Sequence, residues 1–271
     1  MIVEVGDVLA NKYRIDRVLS AELLVAHHLV QDVPVVIRRL ATADANRPLA
    51  VTSLLAESRY LTRLRSPHIP RILDVGQLQR GGPYFVRQFL GGEHLATRRA
   101  AGELAVDVAV DAILQVCDAI AEAHAAGIVH GALCPSQIFV EPATVGQAAQ
   151  AAQLARLRDF THAAWNATRA SLRLDAARAP LPGPAASAPS LQAPEQRATG
   201  AATVVSDVWA IGRTLVELLG TATPPALAAV IDRCLIDAPD DRIPTIAALA
   251  AELAPFTANG VTLASRVARR G

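Results

Sequence analysis

The chain reads as an α+β protein of two parts, a β-rich first third carrying one helix and a mainly helical remainder. Three observations predict this. Short β-rich runs separated by turn residues fill the first 90 positions. A single stretch there, 48–65, has helical rather than alternating period. From about 106 onward the apolar residues recur at helical spacing, broken by Gly and Pro.

In order, 13–19, 23–29 and 33–40 are predicted strands. Leu54, Leu55, Ser58 and Leu61 then share one face of a helix over 48–65. Strands follow at 69–77 and 84–89, with Gly81-Gly82-Pro83 as the turn between them. A long helix over 106–126 stops at Gly127, a residue suited to a helix end. A β-rich pair, 138–140 and 154–157, comes next. The stretch 176–194, rich in Ala, Pro and Ser, is predicted to be a loop. Helices are predicted over 206–219, 225–235 and 245–253, and 257–271 reads as a tail or the start of a linker.

Composition narrows the function classes. Of 271 residues, 52% are hydrophobic and 19% charged, which is globular rather than disordered. A formal net charge of +1 implies neither a nucleic-acid surface nor a polybasic membrane patch. Cys117, Cys134 and Cys234 form no CxxC pair and read as reduced, buried thiols of a cytoplasmic protein. The acidic N-terminus is unlike a signal peptide. No stretch reaches the roughly 20 apolar residues of a membrane span, so no membrane insertion is expected.

VVIRRL (35–40), GIVHGALCPSQIFV (127–140), RDFTH (158–162) and SDVWAIGRTLVELLG (206–220), with further segments in order over roughly 8–253, resemble the bacterial Hanks-type Ser/Thr protein kinases. VVIRRL (35–40) is similar to the strand carrying the kinase lysine. AESRYLTRLRSPHIPRILDVG (56–76) resembles the control helix and the strand after it, with Glu57 at the ion-pair glutamate. PYFVRQFLGGEHLA (83–96) resembles the last strand of the small lobe and the hinge. GIVHGALCPSQIFV (127–140) stands at the catalytic loop and RDFTH (158–162) at the metal-binding DFG. QAPEQ (192–196) resembles the end of the activation segment, and SDVWAIGRTLVELLG (206–220) the buried central helix. RCLIDAPDDRIPT (233–245) places Arg242 at the arginine that pairs with Glu195. The resemblance implies a two-lobed protein kinase-like fold. Its expected division is a small antiparallel β-rich N-lobe with one control helix (1–88), a mainly helical C-lobe (89–255) and a tail or linker (256–271).

Phosphoryl transfer needs the phosphates held, their charge neutralised and the nucleophile oriented. Against these requirements the implied site is degenerate. VLSAELLVAHH (18–28) has no glycine where a phosphate-covering loop needs backbone N–H groups to approach closely, and Glu22 adds a negative charge. Arg38 replaces the lysine; it is expected to pair with Glu57 or, alternatively, to hold phosphate. Ala132 replaces the catalytic aspartate, Cys134 the catalytic-loop lysine, Gln137 the metal-binding asparagine, and Gly131 the arginine that reads a phosphorylated loop. Asp159 is retained, for metal ligation or a local hydrogen bond, but Thr161 replaces the following glycine. Val36 and Phe139 add volume where kinases sandwich adenine.

The architectural positions are kept: Leu61, Ile72, His130 and Phe160 of the hydrophobic spine, Asp207, and the pair Glu195 and Arg242. The expectation is therefore a catalytically inactive pseudokinase acting as a scaffold or allosteric module. No cofactor and no metal are expected, with weak ATP binding left open. The alternative is a divergent kinase-fold enzyme or nucleotide-binding switch that retains ATP through Arg38 and Asp159. A protein partner or a second copy is expected on the C-lobe. The reason is that TATPP (221–225) leaves no room for the helix kinases usually carry there, which should bare the apolar central helix.

Overall fold

The computed structural model describes residues 3–41, 43–45, 47–78, 81–102, 104–141, 154–157 and 192–271. It divides the chain into two compact units. The first comprises Met1–Leu64 and Pro70–Phe89, and the second Arg65–Ile69 and Leu90–Gly271.

The first unit is an antiparallel sheet with one helix. Its strands are β1 (Val8–Leu9), β2 (Tyr13–Val18), β3 (Leu23–His28), β4 (Val33–Arg39), β5 (Ile72–Leu78) and β6 (Gly82–Gln88), in the order β1-β2-β3-β4-β6-β5. Alternation along β2 sends Tyr13 and Ile15 inward, and they meet Leu24, Ala26, Val35 and Ile37 in one core. Helix α1 (Pro48–Arg63) starts on a proline, which is pre-set for the first helical turn. It buries Ala50, Leu54, Glu57, Ser58 and Leu61 on one face. The turn before β6 uses Gly81 and Gly82 with φ of 136° and 79°, values that favour glycine.

The second unit is mainly helical. A small sheet joins β7 (Glu93–His94), β8 (Ile138–Glu141) and β9 (Leu154–Leu157). Its helices are α2 (Leu95–Ala101), α3 (Val106–Ala125), α4 (Pro194–Thr199), α5 (Val204–Leu219), α6 (Pro225–Cys234), α7 (Ile246–Leu253) and α8 (Gly260–Arg270). Helix α5 opens on a capping box in which Thr203 and Ser206 exchange hydrogen bonds. Most of the predicted loop 176–194 lies outside the described residues, as do residues 142–153 between β8 and β9.

Two expectations are corrected here. Residues 260–270 are a docked helix rather than a tail: Leu263 and Val267 are buried, and α8 packs on α3 and α7. Thr257 and Asn259 donate to Asp111 of α3 at its start. The charged residues of 257–271 hid a short apolar stripe whose partner surface is far away in sequence. Nor does α5 bare an apolar face. Val208, Trp209, Ile211, Leu215, Leu218 and Leu219 are only 0–8% exposed. After a single turn at Gly220–Ala222 the chain enters α6, which lies directly over α5. A methyl group on Gly212 would stand 2.7 Å from the Cys234 Cβ, so the missing side chain is what lets the two helices close. The large exposed apolar residues among those described lie mostly in the first unit, for example Val30, Leu73 and Val75.

Candidate active site

In the second unit the site is organised by one carboxylate. Asp207, in the first turn of α5, is fully buried. Its Oδ2 accepts the His130 backbone N–H at 2.8 Å and its Oδ1 the Gly131 N–H at 2.7 Å. His124, in the last turn of α3, places Nε2 2.7 Å from Oδ2. Burial pushes the Asp207 carboxyl up, but the His124 hydrogen bond and charge, His130 and the Gly131 N–H together bring it below the usual range. The backbone at 130–131 is thus pinned to α5, whatever the neighbouring side chains are.

Gly131 has φ 69°, a left-handed conformation, so this position asks for glycine here. The Gly131 carbonyl accepts from the Gln196 side chain of α4. Ala132 is buried, and its N–H donates to His130 Nδ1 at 3.3 Å. Cys134 is buried with Sγ 3.1 Å from Ser136 Oγ. Gln137 is 7% exposed, and its buried Oε1 accepts no hydrogen bond from the described residues. Phe139, on β8, packs its ring against His94 with centroids 4.8 Å apart.

Glu195 and Arg242 meet in a two-pronged ion pair, Nη1 to Oε1 and Nη2 to Oε2, both at 2.8 Å. Ser206 donates to the same Oε1 at 2.7 Å, and Arg242 also donates to the Ile236 and Asp237 carbonyls. The Arg242 guanidinium lies 4.9 Å from the centre of the Trp209 ring. Burial raises the Glu195 carboxyl, and the bonds from Arg242 and Ser206 lower it to a net value below the ordinary one.

In the first unit Arg38, on β4, stands across from Leu23. Its Nη1 donates to Glu22 Oε2 at 2.6 Å and to the Arg39 carbonyl at 3.1 Å. The expected partner, Glu57, is buried on α1 instead. Adjacent-strand register explains the choice: residue 22 ends up beside the arginine, and sequence spacing to a helix does not reveal this. The hairpin over 19–23 consumes its own N–H groups. Leu19 and Ser20 donate to the Leu23 carbonyl, and Glu22 and Leu23 to Ser20 Oγ, at 3.0–3.2 Å. Few donors remain there to face a phosphate.

Leu61 is buried on α1, Ile72 is half-buried at the start of β5, and His130 is fully buried in the second unit. Val36 is buried on β4. Asp159, Phe160 and Thr161 lie outside the described residues. Two members of the network escaped sequence reading, His124 and Gln196. His124 carried one signal, a histidine in the last turn of a helix ending just before the catalytic-loop segment. Among the described residues no cluster of His, Cys, Asp and Glu suits a metal ion. None of the described helices is long and apolar enough to cross a membrane.

The sequence profile described as protein tyrosine and serine/threonine kinase matches residues 15–236. The chain belongs to that family. Among curated relatives, serine/threonine-protein kinase PknA of Mycobacterium tuberculosis is 28% identical over 219 residues, 77% of this chain and 46% of its own length. The probable serine/threonine-protein kinase PknB of Lactococcus lactis is 25% identical over 229 residues, 82% of this chain and 34% of its own. Serine/threonine-protein kinase pkn3 of Myxococcus xanthus is 28% identical over 143 residues, 51% and 26% respectively. The chain thus spans about a quarter to a half of the length of these relatives. Crystal structures of the M. tuberculosis PknI kinase domain share the fold. One has a TM-score of 0.62 at 20% identity with both chains fully covered. Another has 0.66 at 21%, covering 94% of this chain and 99% of that one.

These findings correct the expectation that the chain is not an enzyme: the family it belongs to and its named relatives are protein kinases. The physical reason is one of degree. In phosphoryl transfer the protein mostly positions and neutralises charge. Losing one general base costs about 10²–10⁴-fold, which slows such a catalyst without removing what positioning supplies. The bacterial kinase-like relationship and the two-lobed α+β fold stand.

Proposed function

We propose that the chain is a divergent kinase-fold enzyme that retains weak ATP binding through Arg38 and Asp159. The observation that carries this reading is the intact anchoring of the catalytic-loop segment, with Asp207 holding the His130 and Gly131 backbone. A fold that has kept this buried three-donor carboxylate keeps the loop in place for chemistry. Arg38 is a permanent cation whose partner, Glu22, is a local carboxylate that a phosphate can displace. Gln137 Oε1, without a hydrogen-bond partner among the described residues, is a hard oxygen, the type magnesium takes. Gln137 and Asp159 are the residues that would hold such an ion, which supplies neutralisation of phosphate charge. The self-bonded 19–23 hairpin supports weak rather than tight binding.

The test is thermal. Mg·ATP at about ten times Kd stabilises the folded protein by about 1.4 kcal/mol, a rise of roughly 2–4 °C for a domain of this size. Arg38→Ala should abolish the rise. No rise in melting temperature at 10 mM Mg·ATP, together with no radiolabel transfer in a single-turnover assay, sinks the proposal.

A further inference from the structure

The segment Arg65–Ile69 follows α1 in the chain and precedes β5, yet it belongs to the second unit. What holds it there is a polar cluster built by α3 and α8. Glu122 of α3 accepts the backbone N–H of Arg65 at 2.7 Å and of Ser66 at 2.5 Å. Asp118, one turn earlier and fully buried, accepts the Ser66 hydroxyl at 2.6 Å. That hydroxyl in turn accepts the His68 N–H at 3.2 Å. Helix α8 then closes over the two carboxylates. Arg270 reaches Asp118 at 3.1 Å and Glu122 at 3.3 Å, and Arg266 reaches Asp118 at 3.6 Å. Arg266 also stands 3.4 Å from His68 Nε2.

This arrangement exceeds what packing a terminal helix requires. Leu263 and Val267 alone supply an apolar stripe. Burying Asp118 completely is costly unless cations and donors surround it. Burial raises its carboxyl, and Ser66, Arg270 and Arg266 bring it below the usual range. Without the two arginines, Asp118 and Glu122 would present two negative charges to the turn with no counter-charge from α8. The turn's position therefore depends on a helix about 200 residues away in sequence.

We propose that α8 is a clamp on the 65–69 turn, with Arg266 and Arg270 as positioning residues whose engagement sets how firmly that turn is held. A ligand or modification that draws these arginines off Asp118 loosens that turn. The inference is independent of the ATP reading, because its test needs no nucleotide.

The experiment is hydrogen exchange on the whole chain, comparing wild type with the Arg266→Ala/Arg270→Ala double variant. The Arg65 and Ser66 amides are expected to exchange about tenfold faster or more, as expected for opening of a locally held segment. The β2–β4 amides should stay unchanged. Arg269→Ala, on the exposed side of the same helix, should change nothing. Arg270→Lys keeps the charge without the planar fork and should give a smaller rise in the same segment. This milder variant keeps the test decisive if the double variant unfolds. Faster exchange confined to 260–270 in either variant, or none at 65–66, overturns the proposal.

Discussion

The two units satisfy their polar groups in opposite ways. In the second unit a single buried carboxylate, Asp207, gathers donors from positions 76, 77 and 83 residues away. In the first unit Arg38 is held by Glu22, 16 residues away on the neighbouring hairpin, with side chains 13% and 17% exposed. The first is a long-range anchor whose removal leaves stranded donors and loosens the loop. The second is a local pair near water, whose members can exchange partners at low cost. The difference teaches that one unit fixes its loop backbone through bonds that span the chain, and the other holds its arginine through a neighbour on the adjacent hairpin.

Breaking the long-range side should give the largest effect. Asp207→Ala removes the acceptor of three buried donors and is expected to cost about 3–5 kcal/mol. Chemical denaturation checks this, with faster amide exchange at 130–131 as the local sign. A loss below about 2 kcal/mol would mean that the anchor is no stronger than the local pair. Next comes Arg242→Ala, which leaves Glu195 without its two-pronged partner. With Arg242 buried and Glu195 partly accessible, the expected cost is about 3 kcal/mol, read as a lowered melting temperature.

Acid sharpens the same contrast. Glu195 and Asp207 both have carboxyls held below their ordinary values in the folded state. A lowered folded pKa means that the unfolded chain binds protons first as pH falls. Their stabilisation is therefore fully present above the ordinary carboxylate range, about 3.9–4.3, and is lost as pH drops through the lower folded values. Melting temperature against pH should be flat in these two contributions above about 5 and fall steeply below 4. In Asp207→Asn that acid slope should be shallower.

The local side should give the smallest stability change. Glu22→Gln is expected to cost about 1–2 kcal/mol, because the pair is mostly shielded while the amide oxygen can still accept from Arg38. It leaves Arg38 its bond to the Arg39 carbonyl. On the proposed function it should strengthen the Mg·ATP-induced rise in melting temperature, since the competing carboxylate is gone. A weaker rise would show that Glu22 positions Arg38 rather than occupying it.

Much of this was open to sequence reading because it rests on local rules. β-rich runs between turn residues gave β2–β4, the face Leu54-Ser58-Leu61 gave α1, and Gly127 marked the end of α3. Motif order led to Asp207, Glu195 and Arg242 before any coordinates. Reading function from substituted positions went wrong, because Ala132 and Cys134 report which side chains are missing. They do not report how much positioning the loop backbone still provides, and that backbone is intact.

The amino-acid order by itself determined the succession of strands and helices and the kinase relationship, since periodicity, punctuation and motif order are properties of neighbours along the chain. Tertiary structure alone decided three matters. Arg38 pairs with Glu22 because strand register, not spacing to a helix, sets who lies beside it. The central helix is covered because Gly212 admits α6 at close range. Residues 260–270 are helical because α3 offers Asp118 and Glu122, and a short charged helix needs a distant surface to be stable.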